Sequence, residues 1–298
     1  MTTRALIRSM RLRTLPLSTA GIVLGLMLAC TSCSVPWYVI ILTILTTVSL
    51  QILSNMSNEL GDWLSGVDSD GRDGPTYSLG QGDLTEDELR SAIRICMLTC
   101  AILGLAMIRF SFGTVLSIEG ESLVVLGALA IWAAMHYTLG RHPYGYIGLG
   151  DLFVLVFFGL VPVMGGYFVA SHHIDAWTVM PGLAIGFFSV GVLNVNNIRD
   201  MKSDAGTRLT VPLIIGERRA RIYHSVLIIT GWILLLVFTA LRARTMWGYL
   251  FILTLPLYIR HLKGFYSLSG HDLDPMLPLL VISTFILSVL MGTGFLIH

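Results

Sequence analysis

Nine apolar stretches, each near the length a helix needs to cross a bilayer, run along this 298-residue chain at about 15–33, 36–60, 89–112, 122–139, 149–171, 177–197, 222–241, 246–260 and 275–297. A hydrocarbon core takes about 20 mostly apolar residues per helix, so the expected fold class is all-α, a polytopic membrane bundle of nine helices. Composition agrees: 54% of the residues are hydrophobic, 12% are charged and the mean hydropathy is +0.77, where soluble chains carry about 25% charge. An ordinary soluble protein and a disordered chain are excluded. Nucleic acid is excluded as a partner as well, because 19 basic against 18 acidic residues leave a net charge of +1, too little to neutralise a phosphate backbone. One membrane-embedded domain over residues 1–298 is expected, in contact with the lipid bilayer and without an obligate protein partner.

The basic residues orient the bundle, because short cytoplasmic loops retain Lys and Arg. With the N-terminus inside, 16 of the 19 fall on the cytoplasmic side and only Arg109, Arg242 and Arg244 fall outside. Trp37, Trp177 and Trp247 then sit at the outer interface, where aromatic belts form. An odd number of helices leaves His298 extracytoplasmic. In a bacterium this is a multi-pass protein of the cytoplasmic (inner) membrane.

Four cysteines make no disulfide framework in a chain of this length. Cys30 with Cys33, and Cys96 with Cys100, read as small apolar filler. The Arg-rich start before LMLAC has the outline of a lipoprotein signal, but Pro16 and the pattern after it make it a retained first helix. His172 and His173 read as an interfacial loop.

Nine of the 18 acidic residues lie between Glu59 and Glu88. There NMSNELGDWLSGVDSDGRDGP places Asn58 and Asp62 on one face of a continuing helix, with Asp68 and Asp70 in a Gly-rich run that can turn back toward them. The second polar connection repeats this, since NVNNIRDMKSDAG sets Asn196, Asp200 and Asp204 on one helical stripe. Both Asn/Asp pairs are offset by the same 138 residues, so the connections at 58–88 and 196–221 read as pseudo-repeats on the cytoplasmic side. Carboxylates at the inner mouth of a bundle are costly unless they face a polar cavity and something cationic. Mg²⁺ suits them, because it binds through a few carboxylates together with substrate phosphates. Arg72, Arg199, Lys202 and Arg208 would hold the remaining phosphate oxygens. A membrane-embedded diphosphate site follows. Tyr144, Tyr146 and Arg141, in the inner connection after the fourth stretch, suit orientation of a ring or its carboxylate, and Asp151 suits a ring hydroxyl. Interfacial anchoring and capping is the equal alternative for these four.

The paired connections resemble the two aspartate-rich motifs of the UbiA superfamily of intramembrane prenyltransferases. RLRTLP at 11–16, GRHPYGYIGLGDLFVLVFFGLVPVMGGY at 140–167 and NNIRDMKSD at 196–204 are similar to its branch acting on 1,4-dihydroxy-2-naphthoate in menaquinone biosynthesis. The resemblance runs in order from about residue 8 to 225. It implies a nine-helix bundle around a central cavity, Mg²⁺ as the metal, and transfer of a polyprenyl group from polyprenyl diphosphate to 1,4-dihydroxy-2-naphthoate with loss of CO₂. It also implies that Asn58, Asp62, Asp68, Asn196, Asp200 and Asp204 hold the Mg²⁺-diphosphate, with Arg72 and Lys202 on the diphosphate. Arg11 and Arg13 match the N-terminal cations, with Leu12 where the family has proline, and Arg208 stands in for a lysine of the second loop. Other acceptors, such as 4-hydroxybenzoate or homogentisate, share the diphosphate motifs. A secondary transporter is the alternative of another class, since internal repeats and intramembrane carboxylates also occur there.

Overall fold

A computed structural model describes residues 3–66 and 78–297. Asp68, Asp70 and Arg72 of the first acidic connection lie outside the described residues. The helices are α1 (Thr3–Ser9), α2 (Leu15–Ala29), α3 (Trp37–Leu64), α4 (Glu86–Phe112), α5 (Ile118–His136), α6 (Gly150–Ser171), α7 (Val179–Arg199), α8 (Glu217–Arg242), α9 (Leu255–Ser267) and α10 (Met276–Leu296). Among the described residues there is no strand, only an isolated bridge between Ile147 and Leu209. The four cysteines are free thiols.

Eight helices are long and apolar enough to cross a membrane, among the described residues. The sequence reading expected nine. The difference is the eighth stretch, where a 3-10 helix over Met246–Thr254 continues into α9. Arg260, His261 and Lys263 interrupt the apolar run of that segment.

Local chemistry fixes the ends and bends that matter for the site. Thr85 and Glu88 form a reciprocal capping box at the start of α4, and Glu86, Asp87 and Glu88 lie in its first turn, where negative charge complements the helix dipole. Pro162 sits inside α6 and has no N–H to give the preceding turn. A π-helical turn over Leu155–Leu160 precedes it, the wider form that absorbs such a break.

Two packed groups flank the centre. α2, α7, α8 and α10 share a core that includes Leu24, Phe188, Trp232 and Leu280, and α6 closes on α2 and α7 through small residues. A Cβ on Gly159 would lie 2.4 Å from Gly186 Cα, and one on Gly25 would lie 2.2 Å from the Val163 carbonyl oxygen. Such close backbone approach is how membrane helices gain packing energy without a hydrophobic drive. α3 and α4 form the second group, around Leu53, Met56, Leu89 and Ile93. The cavity lies between the two groups.

Candidate active site

The cavity has a volume of about 460 Å³ and takes its wall from α2, α3, α5, α6, α7 and α10. Its polar mouth carries Asn58, Asp62, Asn196 and Arg208, and its far end reaches Thr43 and Met107. Asp62 and Thr43 are both on α3, separated by roughly 28 Å at about 1.5 Å per residue. The cavity thus runs nearly the depth of a bilayer, polar at one end and apolar along its length.

α3 has 28 residues, longer than an apolar core needs, so its last turns carry NELGD out to the polar mouth. Gly61 lets that end approach the α5 connection, since a Cβ there would lie 2.4 Å from Thr138 Oγ1. Thr138 Oγ1 donates to the Ser57 carbonyl at 3.1 Å and approaches Asn58 Oδ1 at 3.3 Å. Glu59, fully buried, accepts from the Leu79 N–H at 3.0 Å, which ties the far end of the acidic connection back to α3. Asp62 accepts from Tyr146 Oη at 2.9 Å, and that hydroxyl also lies 2.9 Å from Ser65 Oγ.

Arg208 joins the two acidic motifs. Its Nη1 lies 3.9 Å from Asp62 Oδ1 and its Nη2 lies 2.6 Å from Asp204 Oδ1. Its guanidinium also stands 5.9 Å from the centre of the Tyr146 ring. Burial opposes the arginine's charge, and Asp62 and Asp204 outweigh it, holding the group above its ordinary value. The Leu209 N–H donates to the Tyr146 carbonyl at 2.9 Å, so the two connections are clipped together beside these carboxylates.

Asp200 is held differently. Arg199 donates from Nε to Asp200 Oδ1 and from Nη2 to Asp200 Oδ2, both at 2.7 Å. Its Nη2 also reaches Asn196 Oδ1, and its Nη1 reaches Asp274 Oδ1, each at 2.7 Å. Each of the three nitrogens therefore holds an acceptor, and the diphosphate contact expected of Arg199 would compete with them.

The structure brings some of the expected residues to the wall and leaves others away from it. Asn58, Asp62, Asn196, Arg199, Arg208, Tyr144 and Arg13 line the cavity. Asp200 and Asp204 are buried behind it. Lys202 and Arg141 are exposed on their turns, apart from the wall. Asp151, in the first turn of α6, accepts from Tyr223 Oη at 2.8 Å. Tyr144 donates its hydroxyl to the Ala133 carbonyl at 2.7 Å and stacks on Phe153 with centroids 3.8 Å apart, so it offers the cavity a ring face.

Two residues, Tyr137 and Asp274, and the backbone conformation of Arg11, a residue already matched to the N-terminal cations, were missed in the sequence. Tyr137 lines the cavity near Arg208, Asp62 and Asp204. Its hydroxyl lies beside these charges, so it can offer a hydrogen bond to a group that enters the cavity. Arg11 lines the cavity with a left-handed backbone at φ 48°, a conformation costly for a side chain with a Cβ. Asn55 stabilises that turn, donating to the Met10 carbonyl at 2.8 Å and to Thr14 Oγ1 at 2.9 Å, while Gln51 donates to Asn55 at 2.9 Å. Amides inside an apolar helix were the signal for this.

The donor set fits a hard cation. Carboxylate and amide oxygens gather at the mouth, and among the described residues no three acidic, His or Cys side chains come together to hold an ion alone. Oxygen donors of this kind suit an ion bound through one or two carboxylates and completed by substrate phosphates.

Comparison with known proteins agrees. The model of the UbiA prenyltransferase family matches residues 18–283. A 1,4-dihydroxy-2-naphthoate octaprenyltransferase of Escherichia coli K12 is 37% identical over 279 residues, covering 93% of this chain and 89% of the relative. The Haemophilus influenzae protein of that name is 34% identical over 291 residues, covering 96% and 94%. In fold, the chain is similar to a UbiA homologue from Archaeoglobus fulgidus solved with DMAPP and Mg²⁺, with a TM-score of 0.66, 15% identical sequence, and coverage of 99% of this chain and 100% of that one. The transporter alternative falls with these matches, and the chain belongs to the UbiA prenyltransferase family.

Proposed function

We propose that this protein transfers a polyprenyl group from polyprenyl diphosphate to 1,4-dihydroxy-2-naphthoate, releasing diphosphate and CO₂ and giving demethylmenaquinol. The observation that carries the reading is the cavity, with Asn58, Asp62 and Arg208 at one end and an apolar length behind them. The naphthoate acceptor rests on the relatives' names. The bond between prenyl C1 and the diphosphate oxygen breaks, and a bond from C1 to the ring forms. The ring carboxylate leaves as CO₂, its electron pair returning to the ring carbon, which restores the aromatic ring.

Asn58, Asp62, Asp68, Asn196, Asp200 and Asp204 would hold Mg²⁺, an assignment favoured by their oxygen donors and by the homologue solved with DMAPP and Mg²⁺. When bound, the ion supplies positive charge against which the diphosphate leaves. Arg208 binds the diphosphate from within the mouth, with Lys202 and Arg72 as the further cations that the family resemblance implies. Tyr146 orients the Asp62 carboxylate, and Tyr137 donates a hydrogen bond to a phosphate oxygen. The cavity wall keeps water from the allylic cation, and Tyr144 and Phe153 present aromatic faces to it. Arg11 and Arg13 hold the acceptor's carboxylate until it leaves. The mouth faces the cytoplasm, with the N-terminus on the same side.

Purified protein is given Mg²⁺, a polyprenyl diphosphate and either 1,4-dihydroxy-2-naphthoate or 4-hydroxybenzoate, and products are identified by mass spectrometry. Prenylated naphthoquinone is expected with the first acceptor. Product with 4-hydroxybenzoate alone would overturn the acceptor assignment.

A further inference from the structure

Asp274 lies in SGHDLDP, 75 residues beyond Arg199 and just ahead of α10, where no acidic motif draws attention to it. It nevertheless lines the cavity and holds Arg199 Nη1 at 2.7 Å. The Arg199 side chain is 3% exposed and its other nitrogens hold Asp200 and Asn196. Arg199 is thus shared between two carboxylates of different character: Asp200 is fully buried, whereas the Asp274 side chain is 49% exposed at the cavity edge.

The charges make this sharing consequential. Arg199 with Asp200 alone would be neutral, and a cation approaching Asp200 would have to displace a buried guanidinium with no other counter-charge. Breaking such a pair inside a protein is strongly unfavourable. With Asp274 added, the three groups carry one net negative charge, and Arg199 keeps a partner when Asp200 turns toward a cation.

We propose that Asp274 is a positioning residue for the second acidic motif: through Arg199 it holds Asp200 and Asn196 in place and leaves Asp200 available to the metal-diphosphate. This rests on the reading of the mouth as a Mg²⁺-diphosphate site. Asp274 does not touch the reacting atoms; it acts through Arg199, and it ties α10 to the end of α7.

The test uses the purified full chain in detergent, titrated with Mg²⁺ in the presence of inorganic pyrophosphate, with the shift of the thermal unfolding midpoint as readout. Steady-state KM values for both substrates are measured alongside. For Asp274→Asn, the Mg²⁺ concentration giving half the shift rises roughly tenfold, the usual scale for losing a group that supports a metal ligand. KM for prenyl diphosphate rises with it, and KM for the acceptor stays unchanged. Asp274→Glu restores most of the response, and Asp272→Asn, at an exposed neighbouring carboxylate, leaves it at the wild-type value. A wild-type Mg²⁺ response in Asp274→Asn, or equal rises in both KM values, overturns the proposal. If Asp274→Asn does not fold, Asp274→Ser decides: a raised half-shift Mg²⁺ concentration supports this Asp274–Arg199 latch, and a wild-type response contradicts it. Asp62→Asn separates the two levels. If it abolishes the response while Asp274→Asn keeps it, the latch alone fails; if Asp62→Asn responds as wild type does, the reading of the mouth fails, and the latch with it.

Discussion

The two acidic motifs share the spacing of their Asn/Asp pairs, Asn58 with Asp62 and Asn196 with Asp200, and occupy different electrostatic settings. Asp62 stands at the cavity wall, 4% exposed, with a neutral phenol 2.9 Å away and the nearest guanidinium nitrogen of Arg208 at 3.9 Å. Asp200, its counterpart 138 positions later, is fully buried and gripped at both oxygens by the preceding residue at 2.7 Å. A repeat in sequence has therefore not become a repeat in chemistry. The first motif presents its carboxylate to whatever enters the cavity, while the second encloses its carboxylate in a bidentate arginine pair and presents Asn196 instead.

Substitutions at the two positions separate these roles. Asp62→Asn is expected to lower kcat by about 10³-fold, the scale of removing a group that stabilises charge in the transition state, with little change in unfolding midpoint. Asp200→Asn leaves Arg199 buried with one carboxylate fewer and is expected to cost about 3 kcal/mol of stability, read by thermal unfolding in detergent, together with most of the activity. Equal destabilisation by both would mean that the motifs are alike after all. Tyr146→Phe removes the hydroxyl that Asp62 and Ser65 share. It should raise KM for prenyl diphosphate by roughly tenfold, as loss of about 1.4 kcal/mol of charge-assisted hydrogen bonding implies, and should leave the acceptor KM and the Asp200 side intact. The smallest effect is expected from Lys202→Ala, where an exposed cation gives about a twofold to threefold rise in KM for prenyl diphosphate that fades at high salt.

Much of this was legible because lipid enforces strong rules. Spans appear as long apolar runs since each must satisfy its own backbone, and eight of the nine stretches coincide with helices long and apolar enough to cross a membrane, among the described residues. The remaining segment, Met246–Ser267, is helical throughout but begins as a 3-10 helix and carries Arg260 and Lys263 in its second half. Asn58, Asp62, Asn196 and Arg208 were legible from helical spacing and charge, and the cavity gathers them. The partners of those residues were not. Asp274 meets Arg199 across 75 residues, Tyr223 meets Asp151 across 72, and Glu59 meets Leu79 through its backbone. Contacts of that kind have no periodicity, and the left-handed turn at Arg11 depends on Asn55, two helices' worth of chain away. Tyr144 shows the converse, since the sequence suggested a polar role and its hydroxyl is engaged by the Ala133 carbonyl.

The most direct test of the reaction is its stoichiometry. With Mg²⁺, polyprenyl diphosphate and 1,4-dihydroxy-2-naphthoate labelled in the carboxylate, the CO₂ and diphosphate released are counted against prenylated product, with EDTA as control. The account predicts equal amounts of all three, and none with EDTA. Prenylated product that retains its carboxylate, or diphosphate released without a new bond to the ring, would contradict it.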